Sequence, residues 1–193
     1  MLRNIIQIAV ILALAFGGGI WSVRAMLERA VRPGSVTVSA WTAYPVAGTP
    51  AADPYTKAHI ARNGELPLGA GEGLTFAATK DSAGDAITGN CSYRIEGQMP
   101  ASRLWTLHAE GFRRGQTPVE GLPDALHSRR VLYGPDGGVR VLASAAAQPD
   151  NWLAIPSEGP LSLVLTFYDT ELASGSRAYE AEMPQILKVG CDG

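Results

Sequence analysis

The chain has 193 residues, of which 46% are hydrophobic and 18% are charged, a composition typical of a folded protein rather than a disordered one. From residue 33 onward it carries 12 Lys and Arg residues against 17 Asp and Glu residues, a net charge of −5. A nucleic-acid-binding protein needs a basic surface, so this balance excludes that class of function.

The first predicted element is an apolar helix. Residues Ile5–Val23 contain only two polar side chains, and a stretch of this length matches the roughly 20 residues that a helix needs to cross a bilayer. We predict a membrane anchor over residues 1–32. A cleaved signal peptide is the alternative, because Val23-Arg24-Ala25 resembles a signal-peptidase site.

The charges that flank this helix do not fix its orientation. Arg3 precedes it, whereas Arg24, Arg29 and Arg32 follow it. The positive-inside rule places most such charges on the cytoplasmic side, so the charges alone slightly oppose a cytoplasmic N-terminus. The compartment therefore has to be inferred from the cysteines.

A linker and a short helix follow. Residues 33–52 are predicted as a linker with a first strand, because Ser35–Tyr44 alternates with a period of two residues. A short helix is predicted next, since Asp53 can cap it, Pro54 suits its first position and Asn63-Gly64 can end it.

The remainder of the chain is predicted to be rich in β-strands. The run LSLVLTFY, Leu161–Tyr168, is the most apolar and is predicted to lie in the centre of a sheet. The sequence GPDG at 134–137 predicts a hairpin turn. We therefore expect residues 53–193 to form an antiparallel β-sandwich or jelly-roll-like domain with one short helix. The predicted strands are 74–79, 91–96, 103–110, 129–133, 138–144, 161–168 and 184–190.

The chain has two cysteines, Cys91 and Cys191. Neither belongs to a CxxC motif, which disfavours zinc binding and thioredoxin-like chemistry. We predict a disulfide between them, because a free thiol so near the end of the chain would be open to oxidation. A disulfide behind a signal anchor indicates an oxidising compartment. Two free cysteines are the alternative.

No group of residues in the sequence points to catalysis, to a cofactor or to a metal. His59, His108 and His127 form neither an HxH nor an HExxH motif. The glycine-rich run GAGEG precedes a strand, and its acidic residue would repel phosphate. We therefore assign no catalytic residue, no metal ligand and no cofactor.

The candidate binding surface consists of Arg94, Asn151 and Trp152. Arginines outnumber lysines in the part of the chain after the anchor, and arginine is suited to bidentate contact with carboxylate or phosphate groups. A compositional bias toward arginine is the alternative explanation.

Several stretches resemble the bacterial domain of unknown function 1214. They read DPYTKAHIARNGELPLG, CSYRIEGQMPASRLWTL, DGGVRV, QPDNWLAIP and LSLVLTFYD, and the resemblance extends over about Asp53–Gly190. It implies a β-sandwich or jelly-roll-like fold and brings no established catalytic residues. In longer members the domain of unknown function 1254 precedes this domain, so the resemblance implies a separate partner chain that carries domain 1254.

These observations lead to one expected function and one alternative. We expect a single-pass inner-membrane protein of a Gram-negative bacterium, with a periplasmic β domain that binds or scaffolds a partner without catalysis. The alternative is a subunit of an enzyme that acts on envelope glycans or lipids, with a site that forms only in the presence of the partner.

Overall fold

The computed structural model describes residues 2–27, 34–111, 121–173 and 177–191. The chain divides into two compact units, one formed by residues 1–33 and 51–66 and the other by residues 34–50 and 67–193. Within the described residues, the first unit contains two α-helices and the second contains ten β-strands and two short 3-10 helices.

The helical unit begins with α1, Leu2–Leu27. Every residue from Leu2 to Arg24 is exposed, and the stretch Leu2–Ala25 has a mean hydropathy of 2.0. By length and composition this helix can cross a membrane, and a signal sequence meets the same criteria. The predicted anchor Ile5–Val23 lies inside it, whereas residues 28–32 of that prediction fall outside the described residues.

The second helix, α2, covers Pro54–Asn63 and has the ends that the sequence predicts. One carboxylate oxygen of Asp53 accepts hydrogen bonds from the backbone N–H groups of Tyr55 and Thr56, and the other accepts from Thr56 Oγ1. These bonds, that of Thr56 Oγ1 above all, hold the pKa of Asp53 below its usual value. Gly64 ends the helix with a φ of +67°, a conformation that glycine adopts without steric cost.

The second unit is built from two β-sheets. Its strands are β1 (Val36–Val38), β2 (Trp41–Ala43), β3 (Gly73–Ala78), β4 (Cys91–Gly97), β5 (Leu104–Gly111), β6 (Ala125–His127), β7 (Val139–Ser144), β8 (Trp152–Ala154), β9 (Leu161–Tyr168) and β10 (Gln185–Cys191). The larger sheet has the order β1-β2-β3-β9-β5-β6 and the smaller one β10-β4-β7-β8. This arrangement confirms the predicted, mainly β fold.

One pair of neighbouring strands differs from the antiparallel expectation. β7 and β8 run parallel, which makes the smaller sheet mixed. Parallel neighbours usually need a long crossover connection. Here the loop 145–151 is sufficient, because β8 has only three residues and the chain returns over a short distance.

The inner faces of the two sheets share one hydrophobic core. β9 is buried over nearly its whole length because it lies between β3 and β5, as its apolar sequence predicts. Phe76 and Phe167 meet edge to face with their ring centroids 6.0 Å apart, a geometry that adds about 0.5–1.5 kcal/mol to their burial. The largest fully buried side chains are Trp41, Tyr93, Phe76, Phe167, Ile87, Ile95, Leu107, Leu153, Leu161, Leu163, Leu165 and Ile186.

The predicted first strand is in fact a hairpin. Within Ser35–Tyr44 the chain forms β1 and β2, and Val38 pairs with Trp41. Ser39 takes up a φ of +54° in the turn between them. The sequence gives little sign of this turn, because the alternation of side chains continues across it without a Gly, Pro, Asn or Asp.

The strand predicted at Arg129–Tyr133 is wrong. Only Tyr133 pairs there, in a single bridge to Val139, and β6 lies further upstream and pairs with β5. The GPDG turn itself is present, since the N–H of Gly134 donates to the carbonyl of Gly138. The turn was therefore recognisable from its sequence, but the length of the strand before it was not.

A disulfide joins Cys91 and Cys191, the pair predicted from the sequence. The two residues lie opposite each other on β4 and β10, with their Cα atoms 3.8 Å apart. Residues 188–191 are exposed, and the register of β10 shifts between Lys188 and Gly190. This end of β10 therefore depends on the covalent bond more than on burial.

The part of β10 before the register shift is held by burial and by polar contacts. Ile186 is fully buried, its N–H donates to Ser82 Oγ and its carbonyl accepts from the N–H of Ser82. The ammonium group of Lys188 donates to the carboxylate of Asp85. This hydrogen bond lowers the pKa of Asp85 and raises the pKa of Lys188.

Removal of the disulfide is expected to destabilise the β unit strongly. The bridge closes a loop between positions 100 residues apart, and the chain-entropy model gives an upper value of about 4.7 kcal/mol for such a loop. Urea denaturation with and without reductant measures the effect. The double variant Cys91→Ala, Cys191→Ala is the control, because reductant should not change its midpoint. Equal midpoints for the oxidised and reduced wild-type chain would contradict the prediction.

The contact between Asp85 and Lys188 is expected to make stability depend on pH. The lowered pKa of Asp85 means that its contribution is present above the unfolded pKa of about 3.9 and is lost as the pH falls below that value. The raised pKa of Lys188 means that its contribution is full below the unfolded pKa of about 10.4 and is lost as the pH rises through the folded pKa. Thermal melts of the wild type and of Lys188→Met should thus differ most between about pH 5 and pH 9. Asp85→Asn should reproduce that profile, and a difference that persists at pH 2 would refute the assignment.

Candidate interaction surface

One row of side chains crosses all four strands of the smaller sheet on its outer face. Leu187 on β10 pairs with Arg94 on β4, Arg94 pairs with Leu142 on β7, and Leu142 pairs with Trp152 on β8. Neighbours in sequence, such as Ile95, point into the core, so these four side chains lie on the opposite face. All four are half-buried. We call them the transverse row.

A charged row lies beside the transverse row. Glu96 on β4 pairs with Arg140 on β7 and with Gln185 on β10. Its Oε2 accepts a hydrogen bond from Arg140 Nε at 3.2 Å and lies 2.9 Å from Arg94 Nε. One carboxylate therefore lies close to two guanidinium groups, and this group of three side chains has an excess of one positive charge.

The side chain of Arg94 retains capacity for a further partner. Its Nε is buried and makes no hydrogen bond, so the short distance to Glu96 is a Coulombic contact without hydrogen-bond geometry. The side chain as a whole is 38% exposed. The two terminal NH₂ groups, through which arginine binds carboxylates in pairs, lie beyond Nε. An ion pair this exposed contributes little to stability.

Trp152 is fixed on the sheet by its indole nitrogen. Nε1 donates to the carbonyl of Ser144 at 2.9 Å, and Ser92 Oγ donates to Ser144 Oγ at 3.2 Å. The polar edge of the indole is thus satisfied within the protein, and its ring is half-buried. A ring held in this way loses little conformational entropy when a partner covers it.

Asn151, predicted as part of the binding surface, has a structural role instead. It is 9% exposed, and its amide makes three hydrogen bonds within the protein. Nδ2 donates to the carbonyls of Leu132 and Arg140, and Oδ1 accepts from the N–H of Leu132. Asn151 therefore ties the segment before β7 to β7 itself at the point where β8 begins. The structure brings Arg94 and Trp152 to one face and leaves the Asn151 amide committed to the fold.

The histidines occupy separate environments. His59 is buried on α2. His108 Nε2 lies 3.2 Å from Glu110 Oε1 on β5, and His127 Nδ1 accepts from the N–H of Arg129 at 3.3 Å. Among the residues that the structure describes, no three His, Cys, Asp or Glu side chains are grouped as a metal site would require.

Five members of this surface were not predicted from the sequence: Glu96, Arg140, Leu142, Gln185 and Leu187. The alternation in CSYRIEG can place Arg94 and Glu96 on one face, because residues two apart along a strand point the same way. The neighbours Leu142, Leu187 and Arg140 come from other strands. Their position depends on strand order and register, which the alternation within one strand does not determine.

Comparison with known proteins gives a family and a fold. The family model described as Protein of unknown function (DUF1214) matches residues 72–172, just over half of the chain. The crystal structure of the VPA0106 protein from Vibrio parahaemolyticus is similar with a TM-score of 0.57 and 20% identity, over 72% of this chain and 36% of that one. The crystal structure of a Burkholderia cenocepacia protein is similar with a TM-score of 0.45 and 14% identity, over 95% of this chain and 52% of that one. No curated protein matches the sequence.

These matches differ in what they cover. The chain spans about a third of the length of the Vibrio protein and about half of the length of the Burkholderia protein. At 20% identity the Vibrio protein supports the fold alone. The family match is shorter than the resemblance read from the sequence, yet it includes Arg94, Asn151 and Trp152.

Replacement of Asn151 is expected to destabilise the smaller sheet. Asn151→Ala removes three hydrogen bonds, to an N–H and a carbonyl of Leu132 and to a carbonyl of Arg140, and a typical intramolecular hydrogen bond contributes about 0.5–1.5 kcal/mol to stability. We expect the free energy of unfolding to fall by about 2–4 kcal/mol, measured by equilibrium denaturation. Ser157→Ala, at an exposed position, is the control and should change it by less than about 0.5 kcal/mol. An equally small change for Asn151→Ala would show that these bonds are dispensable.

Proposed function

Since the chain belongs to the DUF1214 family, we propose that this domain acts as the binding or scaffolding part of a single-pass inner-membrane protein. The β-sandwich lies in the periplasm of a Gram-negative bacterium, where it holds a partner protein without catalysis. The observation that carries the proposal is helix α1, whose apolar side chains are exposed from Leu2 to Val23.

The exposure of α1 supports a place in the bilayer. A helix in a soluble core buries at least one apolar stripe against other elements. In α1 the large side chains remain widely exposed; Ile5, Leu14 and Trp21, for example, are 62%, 71% and 74% exposed. Each buried CH₂ group gains about 0.8 kcal/mol, so a hydrocarbon environment stabilises this helix far more than water does. Trp21 lies near its end, where interfacial aromatic residues are frequent.

The disulfide supports a periplasmic location for the β unit. Disulfides persist in oxidising compartments and are rare in the cytoplasm. The arginines after α1 favour the opposite orientation. We give the disulfide more weight than the flanking charges, because the two ends of α1 differ by only a few charged residues. The bridge between Cys91 and Cys191, in contrast, fixes one end of the β10–β4 pair.

The outer face of the smaller sheet supports the binding role. Arginine and tryptophan are enriched among residues that dominate binding energies at protein interfaces, and Arg94 and Trp152 lie in one row. The Vibrio protein continues well beyond the region that this chain matches. The partner we propose is a separately encoded, membrane-bound chain that carries the domain of unknown function 1254.

Protease accessibility tests the topology. In a Gram-negative host, a chain with a C-terminal tag should resist proteinase K in intact cells and be digested in spheroplasts, while a cytoplasmic marker stays protected. It should also remain with the membranes in carbonate and retain the mass of α1. The control is Ala13→Arg, Leu14→Arg, since two arginines near the centre of the helix cost about 2.5–3.5 kcal/mol each on insertion. This control should leave the membrane fraction.

The possible outcomes test the location of the β unit and the cleavage of α1 separately. Protection in spheroplasts would place the β unit in the cytoplasm and refute the proposed location. A shortened, soluble periplasmic chain would retain the location and identify α1 as a cleaved signal.

A further inference from the structure

We propose that the transverse row is the docking site for a short extended peptide segment of the partner, which presents a carboxylate beside apolar side chains. This inference deepens the proposed function and rests on it. It assigns the recognition to four side chains, Arg94, Leu142, Trp152 and Leu187, and it states which chemistry they accept.

The carboxylate follows from the charges of this face. Arg94 and Arg140 share the single carboxylate of Glu96, so one positive charge remains without a counterpart in the group. Arg140 already donates from Nε to Glu96. The Nε of Arg94 is buried and makes no hydrogen bond, so the terminal NH₂ groups beyond it are the donors left for a peptide. Arginine binds a carboxylate through two parallel N–H bonds. A peptide carboxylate above Arg94 therefore completes a group in which two arginines alternate with two carboxylates.

The apolar side chains follow from the neighbours of Arg94 in the row. Leu187 lies on one side of it, and Leu142 and then Trp152 lie on the other. These side chains belong to strands with fixed register, and the indole is held by its bond to Ser144. Apolar groups that cover them gain about 25 cal/mol for each Å² removed from water. An acidic residue with an aliphatic or aromatic residue beside it thus matches the row.

The small area of this surface fits a short peptide segment better than the face of a whole domain. Four strands at a spacing of about 4.8 Å give a width of roughly 14 Å, and the transverse row together with the charged row, each taking about 6.6 Å along the strands, gives a similar length. The resulting area of roughly 200 Å² is about a quarter of what each partner buries in a standard protein interface. An extended peptide rises about 3.3 Å per residue, so about four or five residues span the row.

Peptide selection followed by a double-mutant cycle tests this inference. A random 12-residue phage library is panned on the full chain in nanodiscs, with the Arg94→Gln chain as the subtractive target. We expect enriched peptides to contain Asp or Glu beside Leu, Ile, Val or Phe. A fluorescein-labelled peptide from this set, measured by anisotropy, should bind Arg94→Gln at least tenfold more weakly. The Asp→Asn or Glu→Gln version of the same peptide should bind the wild-type chain more weakly by a similar factor.

Coupling between the two changes is the decisive result. If the carboxylate contacts Arg94, the neutral peptide should bind the wild type and Arg94→Gln almost equally, because the second change removes nothing further. Arg94→Lys should recover only part of the affinity, since lysine lacks the paired donors. Trp152→Phe should weaken binding by a smaller factor. The matched control is Thr75→Ala, an exposed change on β3 in the other sheet, which should leave the affinity unchanged.

Several outcomes would overturn the inference. The first is a selection that enriches no acidic peptides. The second is a double-mutant cycle in which the losses of affinity simply add. The third is a loss of affinity for Thr75→Ala as large as that for Arg94→Gln. The thermal melt of each variant shows whether it folds, and the exposed ion pair of Arg94 should allow Arg94→Gln to do so. The protease experiment reads topology independently. A cytoplasmic β unit with intact peptide binding would refute the location alone, and a periplasmic unit without peptide binding would refute the docking site alone.

Discussion

The pairing of β10 with β4 is the constraint on which the smaller sheet depends. β4 supplies Arg94 and Glu96 to the outer face, and β10 covers its free edge. The disulfide fixes one end of this pair, and buried Ile186 fixes the other. Side chains along a strand alternate between faces, so a slip of one residue would turn Leu187 into the core and Ile186 into solvent. The register that closes the sandwich is therefore also the register that assembles the transverse row.

The segment Asn151-Trp152-Leu153 shows how three adjacent residues divide these tasks. Leu153 is fully buried in the core, and Trp152 lies on the outer face. Asn151 holds the chain at the start of β8 through its bonds to Leu132 and Arg140. A strand of three residues has few ladder hydrogen bonds of its own, so the amide substitutes for part of the missing pairing. Trp152 can lie opposite Leu142 because Asn151 sets where β8 begins.

Features encoded within a few residues could be predicted from the sequence. The apolar run of α1, the Asp53 cap and Gly64 end of α2, and the GPDG turn depend on local chemistry and were recognisable. The central place of β9 followed from its apolar character. The turn at Ser39 joins two strands that are adjacent in sequence, but it contains none of the residues that usually mark a turn. The parallel pairing of β8 depends on strand register, which no local pattern encodes. The same reason explains why Arg94 and Trp152 could be named, while Leu142 and Leu187 appeared only with the register.

The small area of the transverse row is consistent, in energetic terms, with the proposed role of α1 as a membrane anchor. A contact of four or five residues gives weak binding, for example a dissociation constant on the order of 0.1 mM, which corresponds to about −5.5 kcal/mol. Between freely diffusing proteins at micromolar concentration, such a site would be almost empty. Two chains held in one membrane meet at an effective concentration that can reach about 1 mM when their geometry permits contact, and at that concentration the site is about nine-tenths occupied. In the proposed arrangement, anchoring would let a small site act as a specific one, because confinement would supply affinity and the proposed contact of a carboxylate with Arg94 would supply selectivity.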